Sequence, residues 1–229
     1  MNPFVQLGII GCVALACILW KPSAKIFKYL TTLFHEVGHA CVALLLGGHI
    51  QHIKIQPNGS GVTSTAHAIT LKYKIVRILE LLAGYSFPVN TGVILLGLGI
   101  IGVDPLFMLV FVGLVAGFTL LFIRNFFGLL VVFSYAAIAF AGYFFRDIIP
   151  VNYTISFLAF ILIFGGIKDI QNVTKMTFSN QNDKNDFHFL RDETLIPARI
   201  WNIGFIISEV IVIALFLFLF SNYHDMVQL

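Results

Sequence analysis

The chain has 229 residues, of which 59% are hydrophobic and only 11% charged. A soluble domain carries about a quarter charged residues, so a water-soluble globular fold is excluded and lipid solvates most of this chain. The formal charge of +3, with basic residues at the ends of apolar runs rather than in one patch, excludes nucleic acid as a partner.

In chain order, the apolar run at 4–20 is a first membrane span; no basic region precedes it and no Ala-x-Ala site follows, so it reads as retained rather than as a cleaved signal. A second apolar helix covers 29–47 and contains His35-Glu36-Val37-Gly38-His39. From His49 to Gln56 polar and apolar residues alternate, Pro57-Asn58-Gly59-Ser60-Gly61 is turn chemistry, and Val62-Thr63-Ser64-Thr65 is β-branched and small. This predicts a β-hairpin with an edge strand available for pairing. Further spans fall near 78–103, 106–123, 126–145 and 151–170. Thr177 to Thr194 is polar and reads as a loop, and Pro197 suits the first turn of a closing span at 200–220. Cys12, Cys17 and Cys41 lie in apolar helices without Cys-x-x-Cys spacing, which points to packing rather than disulfides or a sulfur metal site. With no internal repeat, residues 1–229 form one membrane-embedded domain. The fold class is all-α multi-pass membrane protein: about six transmembrane helices, a membrane-dipping helix with the His/Glu motif, and a short re-entrant β-hairpin.

His35 and His39 are four apart, so they share a helical face one turn from each other and both reach a single Zn²⁺, with Glu36 beside them. From seven His and four Glu in the chain, chance gives His-Glu-x-x-His in about four of a thousand shuffles. Three ionisable side chains inside an apolar helix also need a strong partner, which a metal supplies. Hydrolysis is the chemistry that this arrangement suits.

Lys and Arg positions test the topology, because cytoplasmic segments carry the positive excess. If 29–47 crosses the bilayer, Lys21, Lys25, Lys28 and Arg146 share one side and the other ten basic residues the opposite one. If instead it dips in and returns, Lys21, Lys25 and Lys28 join those ten, Lys72 among them, and leave Arg146 alone opposite. The re-entrant layout puts both termini outside and the hairpin and the 177–194 loop in the cytoplasm.

A catalytic zinc takes three protein ligands and a water. Asp147, Asp183, Asp186, Asp192 and Asp225 lie in polar surroundings or near a terminus, where solvation accounts for them. Asp169 follows Phe164-Gly165-Gly166-Ile167-Lys168 at the end of an apolar span, and paired glycines let another backbone approach. It is the expected third ligand in the re-entrant layout; Asp104, in Val103-Asp104-Pro105, takes its place if 29–47 crosses. By this count His35 is about 9 Å into its helix while Asp169 sits nearer the interface, a mismatch in depth.

Phe34 to Ala40, the Gly47-Gly48 closing that helix, and the Gly59-Ser60-Gly61 hairpin followed by Val62-Thr63 resemble the site-2 protease family of intramembrane zinc metalloproteases, more closely its compact bacterial branch without PDZ domains. The likeness is strong over 31–65 and weaker at Leu82-Ala83-Gly84-Tyr85 and around Asp169, where Lys168-Asp169-Ile170 departs from the family's Leu-Asp-Gly. It implies a cell-membrane enzyme, in a bacterial inner or plasma membrane, whose Gly-x-Gly hairpin segment, here Gly59 and Gly61 with Ser60 between, holds a membrane-protein or peptide substrate extended.

The expected mechanism has His35, His39 and Asp169 on Zn²⁺, and Glu36 as general base on the zinc-bound water near the cytoplasmic face. Asn90 is a candidate oxyanion donor, against capping of a helix broken at Pro88. His49 and His52 read as interfacial strand residues, Gly84 and Gly92 as close-packing positions. The rivals are a non-proteolytic membrane adaptor that keeps the zinc site, and an ion transporter. The second is disfavoured because the other spans are largely Phe, Leu, Ile, Val and Gly. Substrate identity, cleavage position, regulation and oligomeric state are not written in the chain.

Overall fold

A computed structural model describes residues 3–67, 73–148, 150–179 and 184–227. Lys72 of the charge tally and Asp183 of the discounted carboxylates lie outside them. The described residues form eight helices and one hairpin: α1 (Pro3–Leu19), α2 (Lys21–Leu45), β1 (His49–Ile55), β2 (Gly61–Ala66), α3 (Tyr73–Ile100), α4 (Pro105–Phe122), α5 (Phe126–Phe144), α6 (Val151–Phe178), α7 (Asp186–Thr194) and α8 (Ala198–Val227).

Five helices, α3 to α6 and α8, are long and apolar enough to cross a bilayer. Helix α1 is shorter, and it meets α2 at a bend of 101° around Trp20. The chain is a multi-pass membrane protein of helical class with one small antiparallel hairpin, as its hydropathy predicts.

Two boundaries differ from expectation. Helix α2 begins at Lys21 rather than 29, because Pro22 occupies the first turn, where its missing N–H costs nothing. His35 therefore lies about 21 Å along its helix rather than about 9 Å. Helix α6 runs to Phe178, so Asp169 is inside a helix rather than at its end. Both candidate ligands are thus mid-helix.

The helix with the motif ends where Gly47 takes a φ of 85° and Gly48 N–H bonds to the Ala43 carbonyl at 2.8 Å, a left-handed stop that only glycine adopts without strain. The chain turns directly into β1. Strand register pairs His52 with Ser64, Ile53 with Thr63 and Ile55 with Gly61, with an irregularity between Ile50 and His52. At the turn Asn58 Oδ1 accepts from Ser60 N–H at 3.0 Å and from its hydroxyl at 2.8 Å, while Gly59 takes a φ of 82°.

The outer edge of β1 is occupied. Arg124 N–H bonds to the Ile53 carbonyl at 3.0 Å, and the Asn125 amide accepts from Ile55 N–H at 3.2 Å and donates to its carbonyl at 2.7 Å. The connection between α4 and α5 so imitates a third strand, and among the described residues the unpaired edge belongs to β2.

The chain divides into two compact units, Met1–Ile167 and Lys168–Leu229. In the first, one cluster packs Phe34 of α2 with Ala14, Leu95, Met108 and Leu162, and a second packs Leu33 and Ala40 of α2 with Ile53, Ile55, Ile123 and Val132. The motif helix thus has one side in each cluster. Gly38 lies so close to α3 that a Cβ there would meet the Ala83 carbonyl. Gly92 meets Ala159 and Ile163 of α6 in the same way, Gly165 meets Thr31, and Gly166 meets Val89. Small residues set these helix approaches, as they do where no hydrophobic drive separates helix from lipid.

In the second unit the stretch expected to be a loop contains α7. Asn185 caps it, accepting from Phe187 and His188 N–H, and the His188 ring accepts back from Asn185 N–H at 3.4 Å, a capping box with histidine in the usual Glu or Gln place. Phe187 packs on Phe205 of α8, with ring centres 5.6 Å apart.

Candidate active site

On α2, His35 and His39 lie one turn apart and present Nε2 atoms 3.0 Å from each other. Two imidazole nitrogens on one tetrahedral zinc, each about 2.0–2.1 Å from it, are about 3.3 Å apart. The spacing and the donor type fit that ion. His39 Nδ1 is 2.8 Å from the Glu80 carbonyl, a backbone acceptor that places the proton on Nδ1 and leaves Nε2 as the lone-pair donor. His35 packs edge-on against Tyr85, with ring centres 4.6 Å apart.

Helix α3 makes room for this pair at Gly84, where a Cβ would lie 2.5 Å from His39 Nε2 and 2.7 Å from His35 Cε1. The close packing expected of Gly84 is therefore against the histidines themselves.

Glu36 is 4% exposed. Its Oε2 accepts from the Thr63 hydroxyl at 2.7 Å, and Gly61 backs directly onto its carboxyl group, leaving no space for a side chain. Strand β2 thus lies over the acid.

A second buried acid, Glu80 of α3, is 1% exposed and was not singled out by its sequence context. It accepts from the Thr65 hydroxyl at 2.6 Å and from Arg77 at 2.9 Å, and His67 Nε2 lies 2.7 Å away. The readable signal was a lone carboxylate near the start of an apolar span. Thr63, Tyr85 and Asn125 carried no such mark, because their partners are remote in the chain.

The other expected residues are distributed as follows. Gly61 is at the acid, while Gly59 and Ser60 form the hairpin turn, tied to α2 by Thr32 donating to the Gly59 carbonyl at 3.0 Å and by Tyr29 donating to the Pro57 carbonyl at 2.7 Å. Asn90 does not cap a broken helix, since α3 continues through Pro88; its Oδ1 is buried without a hydrogen-bond partner among the described residues. Asp104 is exposed and caps α4, accepting from Leu106 N–H at 2.8 Å, so solvation and capping account for it. Asp169 is half-buried within α6, in the unit Lys168–Leu229. His49 is exposed and His52 half-buried, both on β1.

Comparison with known proteins found neither a curated relative nor a solved structure that matches the chain. The profile of the Peptidase M50B-like family matches residues 8–216, which include both histidines, Glu36, the hairpin, four of the five candidate spans whole and most of the fifth. The chain therefore belongs to the Peptidase M50B-like family, the site-2 protease family of intramembrane metalloproteases.

Proposed function

We propose that this protein is a zinc-dependent protease, one catalytic domain over 1–229, that cuts membrane-protein substrates near the cytoplasmic face of a bacterial inner or plasma membrane. The observation that carries the reading is the convergence of the His35 and His39 Nε2 atoms beside a buried glutamate held by the hairpin. When bound, zinc acts as a Lewis acid and lowers the pKa of water toward about 7. Glu36 takes the proton from the attacking water and returns it to the leaving amine. The buried setting strengthens that transfer by excluding bulk water.

A scissile peptide must be extended, because helical amides hide their carbonyls in i to i−4 bonds. The unpaired edge of β2 suits an added strand, since the edge of β1 is occupied by Ile123 to Asn125. Gly59, Ser60 and Gly61 shape the start of that edge. Asn90, whose side-chain amide Nδ2–H can donate, is the candidate donor to the oxyanion.

For the third ligand we propose Asp169. It is a half-buried carboxylate within α6, four residues after Gly165 of the Gly165-Gly166 pair that the sequence singles out. Asp104, the rival in the sequence, is the alternative carboxylate donor. Zinc content of purified Asp169→Ala and Asp104→Ala decides between them: loss only in the first supports Asp169, and retention there removes it.

The test of the function is Glu36→Gln. Zinc measured by plasma mass spectrometry should stay at the wild-type level, while membrane-derived peptides seen in a wild-type proteome should disappear. A Glu36→Gln strain with an unchanged peptide profile and phenotype would make the protein a zinc-holding adaptor.

A further inference from the structure

We propose that Thr63 is a positioning residue that sets the orientation of the catalytic base; the inference rests on Glu36 being that base. In a strand, residues two apart share a face. Along β2 the inward face is Gly61, Thr63 and Thr65, and all three meet a buried glutamate: Gly61 and Thr63 meet Glu36 on α2, and Thr65 meets Glu80 on α3. His67, next in the alternation, also reaches Glu80. The strand is registered on two carboxylates from two helices, and a slip of one residue would turn all of these groups to the opposite face.

Thr63 donates one proton, and two acceptors lie within reach: Glu36 Oε2 at 2.7 Å and the Glu36 carbonyl at 3.0 Å. The carboxylate is nearer and charged, so it takes the stronger bond. The bond ties Oε2 to the strand, and the bare Cα of Gly61 limits the carboxyl group on another side. The rotamer of the acid and the position of the strand are therefore set together. A substrate strand added to β2 pairs with the element that orients the base, so peptide register and proton transfer share one reference.

The experiment compares Thr63→Val, which keeps the shape and removes the hydroxyl, with Thr63→Ser, which keeps the hydroxyl. Turnover is read on fluorescently labelled casein in detergent, together with bound zinc. Thr63→Val should lower kcat by about 10- to 100-fold, the cost of a misplaced catalytic group, with KM within about twofold and zinc unchanged; Thr63→Ser should restore turnover.

A readout independent of turnover is the infrared difference spectrum between each protein and its Glu36→Gln counterpart, which isolates the Glu36 carboxylate band. That band should shift in Thr63→Val and stay in place in Thr63→Ser. An unmoved band, or a Ser variant as slow as Val, overturns the inference. So does loss of zinc or of folded protein in both Thr63→Val and Thr63→Ala, which would make Thr63 a fold residue. If Glu36→Gln itself keeps turnover, the reading of the base fails; if Glu36→Gln is inactive while Thr63→Val is fully active, only the role of Thr63 fails.

Discussion

Gly84 shows how a residue without a side chain shapes this site. Its Cα faces two imidazoles, and any Cβ would press on His39 Nε2 and His35 Cε1. Gly84→Ala should weaken zinc binding by at least about tenfold, in the range seen when groups supporting ligands are disturbed, measurable by competition with a chromophoric chelator. Glu80 has the opposite character: its carboxylate is buried and holds Thr65, His67 and Arg77. Removing one member of a buried charged pair leaves the other uncompensated. Glu80→Ala should therefore cost roughly 3 kcal/mol of stability, read as a lower midpoint of thermal unfolding in detergent. The effect should exceed that of Asp192→Ala, whose carboxylate is exposed and pairs with Lys184 and Arg191 at the surface.

At the scale of elements, the hairpin depends on a side chain that acts as backbone. Asn125 satisfies both the N–H and the carbonyl of Ile55, a residue with no exposed surface. Asn125→Leu should leave two buried polar groups without partners and cost about 1–3 kcal/mol, seen as faster amide exchange at Ile55 while α2 stays protected.

Helix α7 depends on pH through its cap. Burial first, and the Arg191 guanidinium next, hold the His188 imidazole below its ordinary value of 6.5, and the neutral ring is the form that accepts from Asn185 N–H. Because the folded pKa is depressed, the unfolded state binds more protons as pH falls through the ordinary histidine range. The stabilisation is complete above 6.5 and is lost progressively below it. Corrected for the slower intrinsic exchange at low pH, the protection of α7 amides should fall between about pH 7.5 and 5.5, and His188→Gln, which keeps a capping-box acceptor without titrating, should flatten that dependence.

For the whole molecule, the layout in the membrane is the testable quantity. Thirteen of fourteen basic residues fall on one side if the motif helix dips and returns. Single cysteines placed at Ser60 or Asn58, in a background without Cys12, Cys17 and Cys41, should react with an impermeant maleimide only from the cytoplasmic side; labelling from outside would reverse the topology. By itself the sequence determined what depends on near neighbours. Hydropathy over about twenty residues marked the spans, a spacing of four put His35 and His39 on one helical face, alternation and turn residues marked the hairpin, and Gly47-Gly48 marked the stop of α2. It misplaced what local pattern does not encode: the start of α2, the length of α6, and α7, where polar residues hide a helix whose cap uses histidine. Only the tertiary structure decided which groups meet across distance. Thr63 joins Glu36 over 27 positions, the Glu80 carbonyl joins His39 over 41, and Asn125 joins Ile55 over 70. Such pairings arise because a buried polar group must find a partner wherever the chain brings one, and the need is local while the partner is not.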